Sequence, residues 1–265
     1  MRTKIIAEAG SNHTGNIEIA KEMIKVAARC GADYIKFQSW QAKNLKPNDP
    51  NYDRHRKVEL SDEDHYVLID ECKKHKINFL TSCFDIKRID FLAGLGTDII
   101  KVPSPEFMSL TMIKLLKEKF KHLILSTGAV TLKEIEETMK ILKGGSFTLL
   151  HCVSIYPLPL DKVNLARMLW LKRFTDSVGF SDHTLGTEAS KVAITMGADY
   201  IEKHFTIDRN LPGKDQPMSA TPEEIKEICD YVKLVENIKG QETYDMFREE
   251  MEFRKNYIGK WGDNR

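Results

Sequence analysis

Two histidines and two lysines in this chain sit where chemistry would need them. Ser177-Val178-Gly179-Phe180-Ser181-Asp182-His183 and Asp199-Tyr200-Ile201-Glu202-Lys203-His204-Phe205 are short apolar runs, each with a histidine at its end. A segment with helical patterning separates them. If both runs are strands joined by that helix, His183 and His204 stand side by side at one end of a parallel sheet. Two imidazoles converging there can hold a divalent metal and leave positions open for a substrate. Asp182 and Glu202, next to them in sequence, strengthen the metal reading. Lys36 and Lys101 lie inside two further apolar runs, Ile35-Lys36-Phe37 and Ile100-Lys101-Val102. Ammonium groups in such places, with the hydroxyls of Ser82, Ser104 and Ser126 nearby, suit a phosphate and a carboxylate on one small ligand. The plainer alternative for each lysine is a cover for the rim of the fold.

Glu8 and Glu106 are acid/base or metal-water candidates, or else ion-pair partners of Lys36 and Lys101. His151 either joins the histidine cluster or serves as a hydrogen-bond partner, and His13 in the first loop is a further pocket candidate. His55, His65, His75 and His122 read as surface or loop residues. Cys83 and Cys152, near strand ends, read as small buried fillers. The lysines between Lys43 and Lys57 read as solvated.

The elements that must position these groups follow from periodicity. Short apolar runs alternate with helix-period segments along the whole chain. The runs are Lys4 to Glu8, Tyr34 to Gln38, Ile77 to Ser82, Asp98 to Val102, Leu123 to Thr127, Phe147 to Cys152, and the two histidine-bearing runs. Ile17, Ala20, Ile24 and Ala27 mark one helix face, and a helix is expected from roughly Leu110 to Phe120. Leu132, Ile135, Met139 and Leu142 form a stripe behind the capping box Thr131-Leu132-Lys133-Glu134. Ser61-Asp62-Glu63-Asp64 and Thr221-Pro222-Glu223-Glu224 read as helix N-termini, and Ile225, Ile228, Val232 and Val235 face inward in the last helix. Strands alternating with helices imply a parallel sheet, and eight such units suit a closed (β/α)8 TIM barrel of class α/β in a single domain. Gly31-Ala32-Asp33-Tyr34-Ile35-Lys36 echoes Gly197-Ala198-Asp199-Tyr200-Ile201-Glu202, a glycine ending a helix just before a strand. The barrel is expected over residues 1–240, with 241–265 as a C-terminal helical extension at a subunit contact.

Composition agrees with that class. The 265 residues suit one such barrel, since these folds run to ~250 residues. With 40 basic and 39 acidic residues the formal charge is +1, which leaves no long-range attraction to nucleic acid or an anionic membrane. An anionic ligand must therefore meet local cations. Five scattered cysteines without a CxxC pair read as reduced thiols in a cytoplasmic protein. No apolar stretch of ~20 residues or signal peptide is expected.

The strand ends also match a family. Ile6-Ala7-Glu8-Ala9-Gly10-Ser11-Asn12-His13, Lys36-Phe37-Gln38 and Lys101-Val102-Pro103-Ser104-Pro105-Glu106 occur in order. They are followed by Leu125-Ser126-Thr127-Gly128, Leu150-His151-Cys152-Val153-Ser154-Ile155-Tyr156-Pro157, Gly179-Phe180-Ser181-Asp182-His183-Thr184, Glu202-Lys203-His204-Phe205-Thr206, and Arg209 to Asp215. Together they resemble the catalytic barrel of the sialic acid synthases, which condense phosphoenolpyruvate with an N-acetylated amino sugar such as N-acetylmannosamine. The resemblance spans Lys4 to Val235. It implies a divalent metal on His183 and His204, manganese first, with magnesium or cobalt as alternatives. It implies a phosphoenolpyruvate cradle of Lys36, Lys101, Ser82, Ser104, Ser126, Ser154, Ser181 and Tyr156, where Ser82 replaces the usual Thr and Ser154 a frequent Asn. Gln38, Glu106 and Asp215 would meet the acceptor sugar, and Glu8 would stand beside the metal and its water. The resemblance further implies a homodimer. Most members carry a C-terminal antifreeze-like domain whose arginine reaches the partner's site. This chain is expected to lack it, so another protein would supply that piece or the acceptor would differ. Other acceptors, including precursors of legionaminic or pseudaminic acid or a phosphorylated sugar, are alternatives. So is a non-catalytic sugar-binding subunit.

Overall fold

The computed structural model describes residues 2–46, 48–240 and 243–262. Strand β1 spans Lys4–Gly10 and is followed by α1 (Ile17–Cys30) and β2 (Tyr34–Ser39). A long connection carries the short α2 (Tyr52–Lys57), then come α3 (Asp62–His75), β3 (Asn78–Cys83), α4 (Ile89–Gly94) and β4 (Ile99–Val102). The chain continues through α5 (Leu110–Lys119), β5 (His122–Ser126), α6 (Leu132–Leu142), β6 (Phe147–Cys152) and α7 (Ala166–Trp170). It completes the ring with β7 (Val178–Asp182), α8 (Glu188–Thr195), β8 (Tyr200–His204) and α9 (Pro222–Lys239). The strands pair in chain order, all parallel, and β8 closes on β1. The fold is thus a closed (β/α)8 barrel, as the alternation of runs and helix patterns predicts. A further helix, α10 (Met251–Tyr257), lies in an exposed stretch beyond it. Among the described residues, no helix is long and apolar enough to cross a membrane.

Local chemistry explains the boundaries. Asn16, Ser61, Thr131 and Thr221 each cap a helix with a side-chain oxygen that accepts an N-terminal amide. The last three form full capping boxes with Asp64, Glu134 and Glu224. Gly31 ends α1 at φ 91°, a left-handed position where a side chain would be strained. Two apolar regions result. The larger lies between the strands' outward faces and the helices, with Ile24, Ile35, Phe180 and Ile228 fully buried in it. The smaller, Ile6, Leu80, Ile124 and Leu150, plugs the barrel's interior. Side chains alternate along a strand, so residues two positions beyond this plug also face inward and form the layer above it.

Two expectations are corrected. Leu132 stands half exposed at the start of α6, because the first turn overhangs the barrel; Ile135 and Leu142 carry the buried stripe. His65 is fully buried rather than on the surface. It sits in the first turn of α3, its Nδ1 is 2.7 Å from the Ser61 carbonyl oxygen, and its ring packs edge-on against Phe91.

Strands β7 and β8 approach closely at Gly179. A Cβ there would lie 2.2 Å from the Tyr200 carbonyl oxygen and 2.7 Å from Leu150 Cδ2. Backbone on one side and the interior plug on the other leave nowhere for it to go. Gly179→Ala is expected to destabilise the fold by about 3 kcal/mol or more, read as a lower denaturant midpoint. A wild-type midpoint would show that the two strands can spread at no cost.

Candidate active site

The inward layer above the plug is charged. Glu8 from β1, Lys36 from β2, Ser82 from β3 and Lys101 from β4 form one half of the ring. Ser126 from β5, Cys152 from β6, Ser181 from β7 and Glu202 from β8 form the other. The strand register dictates the neighbours: Glu8 pairs with Lys36 on one side and His204 on the other, Ser82 pairs with Lys101, and Ser181 with Glu202. These residues floor a cavity of about 350 Å³ whose walls include His183, His204, Tyr156, Gln38 and Asp215.

Glu202 lies between the two ammonium groups, with Oε2 3.5 Å from Lys36 Nζ and Oε1 3.5 Å from Lys101 Nζ. Ser181 donates to it at 2.9 Å. Lys36 also holds Glu8 at 2.6 Å and donates to Ser82 Oγ at 2.8 Å, while Lys101 donates to Ser126 Oγ at 2.7 Å. Gln38 donates to the other Glu8 oxygen at 2.7 Å. Burial works against every charge here. For Glu8 burial wins over the pull of Lys36, and its pKa rises to about 7. For Glu202 burial loses to Lys101 and Lys36 together, and its pKa falls to about 2. Burial draws Lys101 below the usual ammonium range, with Glu202 offsetting it only in part. Lys36 opposes its own burial with both carboxylates and ends above that range. The result is a fixed anion between two cations, beside a second carboxyl able to exchange a proton near neutrality.

His183 and His204 follow Asp182 and Lys203, the last register pair of β7 and β8, and their ring centroids are 5.6 Å apart. His183 Nδ1 lies 3.0 Å from the Val153 carbonyl oxygen. A proton on Nδ1 would be donated there, leaving Nε2 free as a ligand. His204 Nδ1 is buried without a hydrogen-bond partner. Burial pushes the His204 imidazole down, toward the neutral form that binds metals. The pair therefore fits a divalent cation. Among the described residues no group of three or more His, Cys, Asp or Glu side chains gathers as a metal site. The protein would supply two imidazoles and leave the other positions to solvent and substrate. Tyr156 packs over His183 with ring centroids 4.2 Å apart and roofs the mouth.

A second, larger cavity of about 730 Å³ adjoins the first, with Gln38 and Phe84 in the shared wall. Trp40, His55, Met108 and Met112 line it together with Asn44, Asp85 and Glu106, and among the described residues its lining holds no lysine or arginine.

Loops from distant segments are tied to this rim. Asn12 donates to the Phe205 carbonyl oxygen and to Ser219 Oγ, both at 2.8 Å, and its own carbonyl accepts from Gln216 Nε2 at 2.8 Å. These bonds hold the segment carrying Lys214 and Asp215 over the cavity. His13, instead of lining the pocket, is buried beside Phe37, and burial lowers its pKa to about 4.

The structure thus gathers twelve of the fourteen sequence-named residues around one mouth or in its immediate wall. These are Glu8, Lys36, Gln38, Ser82, Lys101, Ser104, Ser126, Tyr156, Ser181, His183, His204 and Asp215. Glu106 faces the adjoining cavity instead, where its carboxylate accepts from Ser109. Ser154 is exposed and outside the cavity lining, although its Oγ stands close to it: a Cβ on Gly128 would lie 2.4 Å from Ser154 Oγ and 2.7 Å from Ser104 Oγ. Four lining residues with ionisable side chains were missed. Glu202 is central rather than a mere neighbour of a histidine, and strand alternation with Lys36 and Lys101 could have found it. Cys152 reaches the cavity at 3.9 Å from His183 Nδ1 and is no mere filler. Arg54, on the short α2 of the connection after β2, and Lys214, in the loop after β8, come from segments whose course carries no sequence signal. His151 belongs to neither cluster: it faces outward, within 2.7 Å of the Val163 carbonyl oxygen.

Comparison with known proteins places this geometry in company. The profile described as "NeuB family" matches residues 23–244. The chain is 41% identical over 260 residues to N,N'-diacetyllegionaminic acid synthase of Campylobacter jejuni, covering 90% of this chain and 78% of that protein. It is 31% identical over 265 residues to N-acetylneuraminate-9-phosphate synthase of Homo sapiens, covering 93% and 74%. The crystal structure of N-acetylneuraminic acid (sialic acid) synthetase from Leptospira borgpetersenii in complex with citrate superposes with a TM-score of 0.90 at 31% identity. That match covers 98% of this chain and 94% of the other.

The two carboxyls of the floor make opposite demands on pH. Glu8 stays protonated in the fold up to about pH 7, whereas its ordinary value is 4.5. Between those values the folded chain keeps a proton that the unfolded chain has released, so stability from this group declines as pH rises. Glu202, at about 2 in the fold, contributes stability above its ordinary 4.5 that is lost as pH falls toward 2. In Glu8→Gln the decline from about pH 4.5 to about 7 should vanish while the acid limb persists. Urea unfolding across that range checks this, and an unchanged slope would contradict the account of Glu8.

Proposed function

The chain belongs to the NeuB family, and from that premise we propose that it joins phosphoenolpyruvate to the open-chain aldehyde of an N-acetylated amino sugar. The products are a nonulosonic acid and inorganic phosphate. The observation that carries this reading is the charged floor: two ammonium groups 3.5 Å from one carboxylate, ringed by hydroxyls, directly below two imidazoles.

Phosphoenolpyruvate carries a phosphate and a carboxylate on one carbon, C2. Lys36 and Lys101, with Ser82, Ser126 and Ser181, offer charge and donors for both. A divalent metal on His183 and His204, manganese by preference, supplies Lewis acidity at the acceptor's carbonyl oxygen when bound. Gln38, Glu106 and Asp215 are read as contacts to the acceptor, which would extend from the floor into the adjoining cavity. The C3 carbon of phosphoenolpyruvate forms a bond to the aldehyde carbon as the C2–C3 and carbonyl π bonds open, and protonated Glu8 gives the carbonyl oxygen the proton that makes it a hydroxyl. Water then adds to the cationic C2, and Glu8, poised near neutrality, accepts its proton. The C2–O bond to phosphate breaks last and leaves a 2-keto acid. Lys36 and Lys101 keep the reactant's charges fixed, so the bimolecular encounter becomes a reaction between held groups.

Among the described residues the lining of the larger cavity carries Asp85 and Glu106 and no lysine or arginine, which favours an acceptor without phosphate. N-acetylmannosamine satisfies this. A second acceptor reading, of the kind named for the Campylobacter relative, is favoured by the apolar side of that cavity. Trp40, Leu45, Phe84, Met108 and Met112 leave room for a second acyl group and suit its methyl.

Incubation with phosphoenolpyruvate, Mn2+ and single acceptors, read by phosphate release and product mass, tests the reading. Release with an unphosphorylated N-acetylated sugar is expected, and release only with a sugar phosphate would overturn the acceptor assignment. His183→Ala should abolish metal-dependent release, and full activity at saturating Mn2+ would remove His183 from the reaction. Lys101→Ala should weaken phosphoenolpyruvate binding about tenfold to a hundredfold and the acceptor far less. Equal losses for both would contradict its role.

A further inference from the structure

We propose that Asp182 and Lys203, which face away from the cavity, are positioning residues that hold His183 and His204 at the separation a shared ion needs. The inference rests on the reading of those histidines as the metal pair.

Asp182 and Lys203 are the last register pair between β7 and β8, one residue before each histidine. Alternation turns their side chains to the outer face, while Ser181, Glu202 and the histidines line the cavity. Both are buried, at 1% and 2% exposure, in a place where the helical layer offers no water. Lys203 Nζ lies 2.9 Å from Asp182 Oδ2. Sheet pairing already joins the two strands by backbone hydrogen bonds up to Asp182. A charged pair is not needed for that, and a well-packed apolar pair in its place would be at least as stable.

The remaining bonds of the pair show what it adds. Asp182 Oδ1 accepts from the Thr184 amide at 2.8 Å, and Lys203 Nζ donates to the Thr184 carbonyl oxygen at 2.7 Å. Asp182 Oδ2 also accepts from Ser190 Oγ of α8 at 2.6 Å. The backbone on both sides of His183 is therefore clamped from β8 and from α8. His183 itself lies just past the end of β7, where no ladder bond remains to fix it. Its carbonyl accepts from Leu158 at 2.9 Å, and its ring is tethered to the Val153 carbonyl oxygen. On the other strand, Lys203 immediately precedes His204, whose carbonyl accepts from Ala220 at 2.7 Å. One ion pair thus couples the two ligand-bearing backbones directly. Such outer partners of metal-binding histidines typically change affinity 10–100-fold when removed, a range that applies here to the backbone clamp as an estimate of roughly that order.

The test measures Mn2+ binding to the whole protein by calorimetry, with the EPR signal of bound Mn2+ as a second readout. Phosphoenolpyruvate binding without metal serves as a control for the floor. Lys203→Met leaves Asp182 buried and unpaired. The double variant Asp182→Asn, Lys203→Met carries no buried charge and keeps a foldable alternative in hand. In both, the Kd for Mn2+ should rise by roughly 10–100-fold with an altered EPR signal, while phosphoenolpyruvate affinity changes less than about twofold. Cooperative melting shows that the variants are folded. Wild-type Mn2+ affinity in a folded variant overturns the proposal, and so does a parallel loss of both affinities, which marks general loosening of the barrel mouth. His183→Ala separates the two levels. If it binds Mn2+ as tightly as the wild type, the metal reading fails; if it loses the ion while both pair variants keep it, only the role of Asp182 and Lys203 fails.

Discussion

The barrel's upper layer is organised by Glu202 standing between Lys36 and Lys101. Three ionised groups taken out of water cost several kcal/mol each unless they compensate one another. Here the compensation is geometric: one carboxylate spans both ammonium groups, Ser82 and Ser126 accept from the lysines, and Ser181 donates to Glu202 Oε1. The arrangement leaves two cations facing an open cavity with their orientation already set. An anionic ligand then meets preorganised donors instead of flexible side chains that must first be ordered. Glu8, joined to the same network through Lys36, is the group whose ionisation gives way, because burial outweighs the attraction of a lysine already shared with Glu202.

The rest of the fold supplies rigidity to that layer. Ile6, Leu80, Ile124 and Leu150 close the barrel beneath it and exclude water from below. Gly179 lets β7 approach β8 closely, so that Ser181 reaches Glu202. Above the layer, His204 and Gln38 still stand on strands, while His183, Tyr156 and Asp215 stand on the segments beyond them, and side chains of other segments tie those down. Asn12 from the first loop fixes the stretch bearing Asp215, and the Asp182–Lys203 pair secures the chain around His183. Polar groups on the outer face of a strand serve here to aim groups on the inner face.

Two cavities of opposite character share one wall. The smaller is cationic at its floor, and the larger is lined by carboxylates, amides and apolar rings, without a lysine or arginine among the described residues. A reaction between a highly charged small molecule and a neutral sugar has this polarity. The division also accounts for how similar chains can be named for different sugars. The floor that holds the charged reactant lies on strands, where register leaves little freedom, while the larger cavity is walled mainly by the long connection after β2 and the segments after β3 and β4.

The amino-acid sequence by itself determined the eight strands, the helix caps at Ser61, Thr131 and Thr221, and the inward lysines and histidines. These depend on period, capping chemistry and side-chain type, which are local properties. His183 and His204 were legible as neighbours because one strand–helix–strand unit must bring them together. The family motifs added Gln38, Ser181 and Asp215 to the residues expected at the mouth, where all three line the cavity. Tertiary structure alone decided that Glu202 bridges both lysines, that Cys152, Arg54 and Lys214 reach the cavity, and that Glu106 faces the larger space beside it. It also decided that Ser154 stands exposed at the rim and that His65 is buried. Each of these depends on barrel closure and on the course of long loops. Closure brings β8 beside β1 and across from β4, a relation between residues about a hundred or more positions apart that no local period records.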